Sequence, residues 1–301
     1  MALVVVPENQ SVIDAFPQEL QNEVLERFEA LMELSNPAPW QQAGPQLQLI
    51  NVIAASPFSV QIFLLNPQLL DHVFLTRVVS KQQLQRLLTQ DMTKVTSEAQ
   101  LHQSLRQFRK AHQVRLIWRN RCGLGTSEQL VEELSNLADV CVDTALTWLH
   151  NDTAKQWGQP MSNEGQPQEL VVLGMGKLGG RELNLSSDID LIFSFPAPGE
   201  TQGGKRCIDN QQFFIRLGQR LIQAIDAVTA EGFVFRVDMR LRPYGASGAL
   251  ALSFDAMEIY YQQQGREWER YAFVKARVVA GNEAQGQQLL ELLRPFVYRK
   301  Y

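Results

Sequence analysis

Two aspartates, Asp188 and Asp190, lie two residues apart in the apolar, β-prone run Ser187–Phe193. Side chains alternate along a strand, so both carboxylates are predicted on one face, roughly 6.5–7 Å apart. Two like charges at this spacing repel each other unless a cation lies between them. Hard divalent ions such as Mg²⁺ take oxygen ligands from carboxylates and substrate phosphates. The pair therefore suggests a Mg²⁺ site, although a surface strand with two solvated acids would have the same pattern.

A glycine-rich segment, Leu170–Gly180, precedes these acids, and its first residues have the pattern of a buried strand. Gly174, Gly176 and Gly179 match the dinucleotide-binding pattern G-x-G-x-x-G. Length excludes that interpretation, because only the seven residues Arg181–Ser187 separate Gly180 from Asp188, whereas a crossover between parallel strands needs at least about 10–12. The segment is also no P-loop, since it lacks G-K-[ST]. It predicts a glycine turn and about one helical turn, which suits close backbone approach to a phosphate.

A third acid, Asp238, lies in the segment Phe233–Pro243, whose alternation predicts a strand. One predicted face carries Phe235, Val237, Met239 and Leu241, and the other carries Arg236, Asp238, Arg240 and Arg242. One acid among three arginines is unusual for a core strand. It is expected where a face meets both a metal and phosphate oxygens, since arginine donates in forks that match phosphate. Taken by itself, a solvated face with internal ion pairs would explain the pattern more simply.

Residues 174–193 closely resemble the signature of the glutamine synthetase adenylyltransferase/adenylyl-removing enzyme family, which is part of the DNA polymerase β-like nucleotidyltransferase superfamily. Further matches lie at 201–206, 235–243 and 264–272, and the resemblance extends from about residue 101 to residue 301. Chains of this family carry two nucleotidyltransferase domains. The N-terminal one removes AMP from a tyrosine of glutamine synthetase by phosphorolysis, and the C-terminal one adds it from ATP. Asn184–Ser187 and the helical region ahead of it resemble the N-terminal copy.

The resemblance also implies the site. The metal triad of the superfamily falls on Asp188, Asp190 and Asp238, which implies two Mg²⁺ ions. The residues expected at phosphate or nucleotide are Gly179, Gly180, Ser187, Arg236, Arg240 and Arg242. One departure concerns the usual Gly-Ser pair of the superfamily, which is Gly179–Gly180 here, so that a hydroxyl contact to phosphate is absent at this place.

Three functions stay open at this point. The resemblance implies removal of AMP from glutamine synthetase, with ADP as the product. ATP-dependent adenylylation of the same tyrosine is the alternative, and the residues do not separate the two because the metal chemistry is shared. A non-catalytic regulatory module is the third, and the three acids count against it. The implied partners are glutamine synthetase, the PII signalling protein, ATP, ADP and phosphate.

Composition suits a cytoplasmic globular protein. The chain has 301 residues, of which 45% are hydrophobic, and a formal net charge of −4. It is long enough to bury a large core, and its slight acidity gives no reason to expect nucleic-acid or membrane partners. The scattered cysteines, Cys122, Cys141 and Cys207, are predicted to be reduced thiols. Met1–Val6 lacks the basic start of a signal peptide, and no apolar run reaches the length of a membrane span.

The predicted fold class is α+β, with a small mixed β-sheet nucleotidyltransferase domain at residues 156–253. An N-terminal helical domain is expected at 1–155, and the start of a C-terminal helical region, cut short, at 254–301. Helical spacing of apolar residues is found at 17–32, 84–88, 101–118, 130–149 and about 284–301. His150–Gln168 is polar and predicts a linker or a long loop. Asp209 is expected to cap a helix with the apolar stripe Phe213, Leu217, Leu221 and Ile225.

Two further features have competing explanations. A basic stretch comprises Arg106, Arg109, Lys110, Arg115, Arg119 and Arg121. It is predicted to be the solvated side of an amphipathic helix, with contact to an acidic partner or to phosphates as the alternative. Trp268, Tyr271, Tyr260 and Tyr261 could stack on an adenine, but aromatic residues at helical spacing usually belong to a core, which is the prediction for Trp268. The four histidines all precede the strand region, and no Cys/His spacing suggests zinc.

Overall fold

A computed structural model describes residues 5–298, which form two compact units. The first unit comprises the chain up to Val79 together with Lys110–Glu133, and the second comprises Ser80–Arg109 together with the chain from Leu134 onward. The predicted domains have other bounds, 1–155, 156–253 and 254–301, and this division of the chain stays a prediction. Most of the N-terminal run Met1–Val6 and Arg299 of the predicted last helix lie outside the described residues.

The first unit is helical. Its own helices are α1 (Pro7–Asp14), α2 (Gln18–Leu34), α3 (Ala43–Ala55), α4 (Pro57–Leu65) and α5 (His72–Thr76). The predicted stripe of α2 buries Val24, Phe28 and Leu31 in one apolar core. The indole rings of Trp40 and Trp118 lie in the same core, with their centroids 5.9 Å apart. In the described part of the chain, no single helix is both long and apolar enough to cross a membrane; α3 and α4 meet that standard only as a pair bent by 112°.

The second unit contains the sheets. Its helices are α6 (Lys81–Met92), α9 (Gly176–Gly179), α10 (Asn210–Asp226), α11 (Phe254–Gln264), α12 (Glu267–Phe273) and α13 (Glu283–Val297). Its strands are β1 (Gly158–Ser162), β2 (Val171–Gly174), β3 (Ile189–Phe195), β4 (Gly199–Gly203), β5 (Val237–Asp238), β6 (Ala251–Ser253) and β7 (Arg277–Ala280). Two long helices, α7 (Glu98–Arg121) and α8 (Ser127–Trp157), contribute residues to both units.

Strand β3 is the centre of a five-stranded mixed sheet. It pairs antiparallel with β2, and β2 pairs antiparallel with β7. On its other side β3 pairs in parallel with β5 at its start and with β6 at its end. Strands β1 and β4 form a separate antiparallel pair. The α+β class with small mixed sheets is confirmed, and so is the predicted glycine turn with one helical turn, α9, between β2 and β3.

Helix α10 begins and packs as predicted. The Asp209 side chain accepts a hydrogen bond of 2.8 Å from the backbone N–H of Gln212, which satisfies a donor at the helix start. The whole predicted apolar stripe of this helix is buried. A Cβ atom added at Gly218 would lie 2.8 Å from the ring of Phe193, so this glycine lets the helix approach β3 closely.

Three predicted boundaries are wrong. His150–Gln168 is neither a linker nor one long loop, because α8 continues to Trp157 and β1 follows at once up to Ser162. The polar residues 150–157 contain no proline or glycine, so nothing stops the helix before Gly158. Strand β7 interrupts the region that was predicted to be helical from residue 254 onward, and it adds a strand to the sheet.

The third wrong boundary concerns Phe233–Pro243, of which only Val237 and Asp238 form a strand. The backbone N–H groups of Val234 and Phe235 donate to the carbonyl of Ile225 at the end of α10, so they are not free to pair with β3. Side-chain alternation survives partly, since Phe235 and Met239 are buried while Arg236 and Arg240 are exposed.

The basic stretch of α7 is not a solvated face. Arg106, Arg109, Arg115 and Arg119 are all buried. In the second unit, Arg106 donates to the carbonyls of Ala224, Ala227 and Gly232. In the first unit, Arg115 and Arg119 both pair with the carboxylate of Glu133. These arginines therefore organise the interior, and neither predicted role of the stretch holds for them.

Candidate active site

The three predicted acids lie at one edge of the sheet. Asp188 directly precedes β3, and Asp190 is the second residue of that strand. Asp238 ends β5 and is the parallel pairing partner of Asp190. A hydrogen bond of 2.8 Å from the N–H of Ile189 to the carbonyl of Arg236 extends this pairing. Asp190 and Asp238, about fifty positions apart in the chain, are thus brought opposite each other on neighbouring strands.

The acids influence one another electrostatically. Partial burial raises the pKa of Asp190 above its ordinary value, and the negative charges of Asp238 and Asp188 raise this pKa further. The pKa of Asp238 is lowered, chiefly by its hydrogen bond with the Arg240 side chain. The like charges lie close together where β3 begins and β5 ends, and this proximity favours a cation at this place.

Arginines already supply positive charge to two of the acids. The Nε atom of Arg236 lies 2.6 Å from Oδ1 of Asp188. The Nε atom of Arg240 donates to Oδ2 of Asp238 over 2.7 Å, and its backbone N–H donates to Oδ1. Both arginine side chains are largely exposed, so they can move toward an anionic ligand without disturbing the core.

The donor set fits a hard divalent ion. It consists of three carboxylates without a nitrogen or sulfur ligand, which is the chemistry that Mg²⁺ prefers. As the side chains lie, however, no group of three or more His, Cys, Asp or Glu residues within 5–298 is arranged to hold a metal ion. Asp188 and Asp238 would have to exchange their arginine partners for the ion. Binding of Mg²⁺ by this triad therefore stays a prediction.

The glycines at the site have different roles. Gly176 has a φ of +52°, and a Cβ atom there would lie 2.7 Å from Oδ2 of Asp190, so glycine lets the carboxylate lie against the backbone. Gly179 packs against the carbonyl of Lys275, which a Cβ atom would overlap. Gly180 directly follows α9 and has an ordinary φ of −76°. The structure thus explains Gly176 by its close approach to Asp190 and Gly179 by its close approach to Lys275.

The predicted phosphate-binding residues separate into two groups. Arg236 and Arg240 border the acids. Arg242 does not, because its guanidinium donates to the carbonyls of Met239 and Gly248 and so folds the loop after β5. The hydroxyl of Ser187 donates to Oδ1 of Asn184 over 2.7 Å. Phosphate binding by these residues, and by the Gly179–Gly180 pair, remains a prediction.

Sequence reasoning missed Lys177. Its Nζ atom donates to the Ser187 hydroxyl over 3.3 Å, and its charge partly offsets the rise in the pKa of Asp190. The residue is exposed on α9, one position after Gly176. The sequence did contain a signal for this residue, because Lys177 directly follows Gly176 in the glycine turn that leads to Asp188 and Asp190.

Sequence reasoning also missed the support beneath α9. Arg277 on β7 donates to the carbonyl of Leu178 over 3.0 Å and to both carboxylate oxygens of Asp139. Asp139 is fully buried on α8 and also pairs with Lys81 over 2.7 Å. Because Arg277 and Asp139 lie 138 positions apart in the chain, no local pattern indicates this contact.

An aromatic cavity of about 330 Å³ lies beside Arg240. Trp268 lines it and is 48% exposed, so the prediction that this residue belongs to the core is wrong. Tyr260 and Tyr261 are buried, whereas Tyr271 is exposed and lies outside the residues that line the cavity. All three cysteines are free, as predicted.

A small mixed sheet that places acids on neighbouring strands, with helices around it, is consistent with an α+β nucleotidyltransferase-like domain. Residues 46–292 match the family described as glutamate-ammonia ligase adenylyltransferase, and the chain belongs to that family. The resemblance seen in the sequence motifs is therefore confirmed.

Similar proteins carry the name bifunctional glutamine synthetase adenylyltransferase/adenylyl-removing enzyme. The one from Hahella chejuensis is 59% identical over 214 residues, which are 71% of this chain and 22% of that protein. The one from Pseudomonas putida is 53% identical over 84% of this chain and 26% of that protein. The one from Pseudomonas syringae pv. tomato is 50% identical over 94% of this chain and 28% of that protein. The chain thus spans about a quarter of the length of these relatives.

Proposed function

We propose that this chain removes AMP from an adenylylated tyrosine of glutamine synthetase by Mg²⁺-dependent phosphorolysis. The observation that carries the proposal is the parallel pairing of β3 with β5, which sets Asp190 opposite Asp238 and next to Asp188 in a chain of this family. Glutamine synthetase is the protein substrate that the names of the relatives suggest. Regulation by the PII protein and a cytoplasmic location belong to the same proposal.

The reaction is a phosphoryl-group substitution. An oxygen of orthophosphate attacks the phosphorus of the AMP group, the bond from phosphorus to the tyrosine oxygen breaks, and a new P–O–P bond gives ADP. The tyrosine oxygen leaves with the electron pair and takes up a proton. Orthophosphate is already largely ionised at neutral pH, since phosphomonoesters have a second pKa near ~6. The attacking group therefore needs no histidine base, which agrees with the position of all four histidines before the strands.

The residues at the edge of the sheet that carries the three acids suit this substitution reaction. Asp188, Asp190 and Asp238 are the groups that would hold Mg²⁺, which would supply charge stabilisation to the attacking and leaving oxygens. Arg236 and Arg240 are exposed next to the acids and are suited to bind the oxygens of orthophosphate or of the AMP phosphate in forked hydrogen bonds. Bound phosphate would also compensate these arginines when they leave Asp188 and Asp238.

Adenylylation from ATP is the second candidate, because the matching family and the relatives are named for adenylyl transfer as well as removal. The acids serve either direction. Removal is favoured by the resemblance of Asn184–Ser187 to the adenylyl-removing copy of the family and by the helical region that precedes it. Asn184 accepts hydrogen bonds from the hydroxyls of Ser186 and Ser187, so this run forms an ordered turn directly before the acids.

Two parallel incubations distinguish the candidates. One supplies adenylylated glutamine synthetase, orthophosphate and Mg²⁺, and the other supplies unmodified synthetase, ATP and Mg²⁺. Removal predicts ADP and unmodified tyrosine in the first incubation only, and transfer predicts adenylylated synthetase in the second only. A chain that is inactive in both would be a non-catalytic module. Asp238→Asn is the matched control, because it should abolish whichever activity is present.

A further inference from the structure

The aromatic cavity adjoins the acid site. Arg240, which bonds Asp238, forms part of its wall, and the loop after β5 and the residues at the junction of α11 and α12 form the rest. The lining includes side chains that could stack on a ligand or donate hydrogen bonds to it, namely Arg240, Tyr244, Tyr260, Gln264, Arg266 and Trp268. The cavity therefore combines aromatic rings with two cationic side chains and the carboxylate of Glu269. One of the cations, Arg240, also borders the acid site.

Tyr244 is held in a conformation that few side chains adopt. Its backbone is left-handed, with φ of 61° and ψ of 9°, which is costly for a residue other than glycine and is typical of ligand-binding loops. Arg242 maintains this loop by donating to the carbonyls of Met239 and Gly248. Gly248 has no Cβ atom to overlap the carbonyl of Pro243. The loop thus presents the exposed ring of Tyr244 in one fixed place.

Contacts among the other lining residues hold the rest of the cavity wall in place. The ring centroid of Tyr244 lies 4.5 Å from that of the buried Tyr260. The hydroxyl of Tyr260 donates to the buried carboxylate of Glu269 over 2.8 Å, and Glu269 also accepts from the backbone N–H of Arg266. The amide of Gln264 donates to the Tyr244 hydroxyl. Trp268, one residue before Glu269, is held at the rim with half of its surface exposed.

We propose that this cavity binds the nucleoside half of the adenine nucleotide whose phosphate reacts at the acids. The proposal rests on the function proposed above. A nucleobase has flat faces that stack on aromatic side chains, and the exposed rings of Tyr244 and Trp268 provide such faces. Arg240 joins the two sites, so a nucleotide with its base in the cavity would direct its phosphates toward Asp238. Residues 240–248 and 260–269 would then determine nucleotide binding.

The test compares two ligands that share a diphosphate group and differ in the nucleoside. Affinities of ADP and of inorganic pyrophosphate are measured by calorimetry with Mg²⁺ for the 301-residue chain and for Trp268→Ala. Tyr271→Ala is the matched control, because this aromatic residue is also exposed on α12 but does not line the cavity. Tyr244→Asn is a second variant, since asparagine tolerates the left-handed backbone and lacks the ring.

The proposal predicts that Trp268→Ala and Tyr244→Asn each weaken ADP binding about tenfold, which is the size expected for one lost base stack. Pyrophosphate binding should stay unchanged in both variants, and Tyr271→Ala should change neither affinity. Unchanged ADP affinity in both cavity variants, or equal losses for ADP and pyrophosphate, would overturn the nucleoside site.

The proposed function can fail separately from this inference. If the cavity variants bind ADP normally but act more slowly on adenylylated synthetase, the cavity receives the protein substrate, so the inference is wrong and the function stands. If ADP binding depends on Trp268 while the chain lacks phosphorolytic activity, the nucleoside site is supported and the function is wrong. Failure of the chain to bind ADP at all would overturn the inference.

Discussion

Asp190 differs from the other two acids in its surroundings. Asp188 and Asp238 each bond an arginine, whereas Asp190 is partly buried beside both of them and its pKa is raised. A group whose charge is disfavoured in this way is typical of a functional site. At the scale of single residues, we therefore expect the proposed activity to depend most on Asp190.

Replacement of Asp190 by asparagine tests that dependence. Asp190→Asn keeps the shape of the side chain and removes its repulsion with Asp188 and Asp238, so the fold should persist. Activity should fall by more than about a hundredfold, since even indirect supports of metal ligands cost up to that much. Steady-state ADP release measures the effect, with the exposed Asp255→Asn on α11 as the control. Retention of more than a tenth of the activity by Asp190→Asn would contradict its role.

Single residues were predictable where the signal was local. Asp188, Asp190 and Asp238 were found from alternation in short runs, and their pairing follows from β3 and β5. Alternation predicted that Arg242 shares a strand face with Asp238, but the strand ends at Asp238 and the Arg242 guanidinium bonds the carbonyl of Met239 in the loop that follows. Trp268 was predicted to be buried because helical spacing does not reveal which face of a seven-residue helix has a neighbour.

At the scale of elements, the one-turn helix α9 packs against the acid site through Gly176, which lies next to the Asp190 carboxylate. Its last residue packs against the carbonyl of Lys275, and Arg277 bonds the carbonyl of Leu178. The turn is thus held from below by β7 and the residues before it, which places Gly176 directly against Asp190.

Two neighbouring glycines make a matched test of this packing. Gly179→Ala should destabilise the chain by about 1–3 kcal/mol, because the new methyl group overlaps the Lys275 carbonyl and must displace α9. Gly180→Ser should stay within about 0.5 kcal/mol, since its Cβ atom meets only the flexible side chains of Lys275 and Glu182. Urea denaturation gives both values. Equal free energies of unfolding for the two variants would contradict the packing argument.

Arg106 fixes a second element, the connection from α10 to β5. Its guanidinium satisfies the carbonyls of Ala224, Ala227 and Gly232, which lie just before the strand that carries Asp238. Arg106→Lys keeps the charge but cannot reach several carbonyls in a plane. We expect a loss of about 2–4 kcal/mol in the free energy of unfolding, from the carbonyls left without a donor.

The control for this change is Arg121→Lys, at the exposed end of the same helix. It should leave the free energy of unfolding unchanged. If chemical denaturation shows that Arg106→Lys is as stable as the control, the carbonyls have other donors and Arg106 does not organise the connection.

Elements with strong periodicity were predictable, whereas the short strand β7 was not. Helices α2, α7 and α8 and the capped α10 follow their apolar stripes. Strand β7 has four residues, and its pairing with β2 depends on a partner about a hundred positions away. The buried arginines of α7 were mistaken for a solvated face because the carbonyls and Glu133 that receive them are distant in sequence.

At the scale of the whole molecule, we expect acid stability to depend on a buried histidine of the first unit. Burial and the charge of Arg115 lower the pKa of His112 to about 3. Nδ1 of His112 accepts from Nε of Arg115 over 3.4 Å, which requires the neutral ring. The folded ring stays neutral down to about pH 3, while the unfolded ring takes up a proton below its ordinary value of 6.5.

Stability should therefore fall as the pH falls from about 6.5 toward 3, by about 1.4 kcal/mol per pH unit from this group. In His112→Gln the slope should be smaller by that amount, whatever the absolute stability of the variant. Denaturation at several pH values between 6.5 and 4 measures both slopes. Parallel curves for the two proteins would show that His112 is not responsible.

The central claim is that orthophosphate itself attacks the AMP group. The most direct measurement supplies isotopically labelled orthophosphate with adenylylated glutamine synthetase and Mg²⁺ and locates the label in the product. Phosphorolysis predicts label in the β-phosphate of ADP, in an amount equal to the tyrosine released, and no labelled ADP with Asp190→Asn. Unlabelled AMP as the product, or adenylylation of unmodified synthetase from ATP with no labelled ADP, would contradict the account.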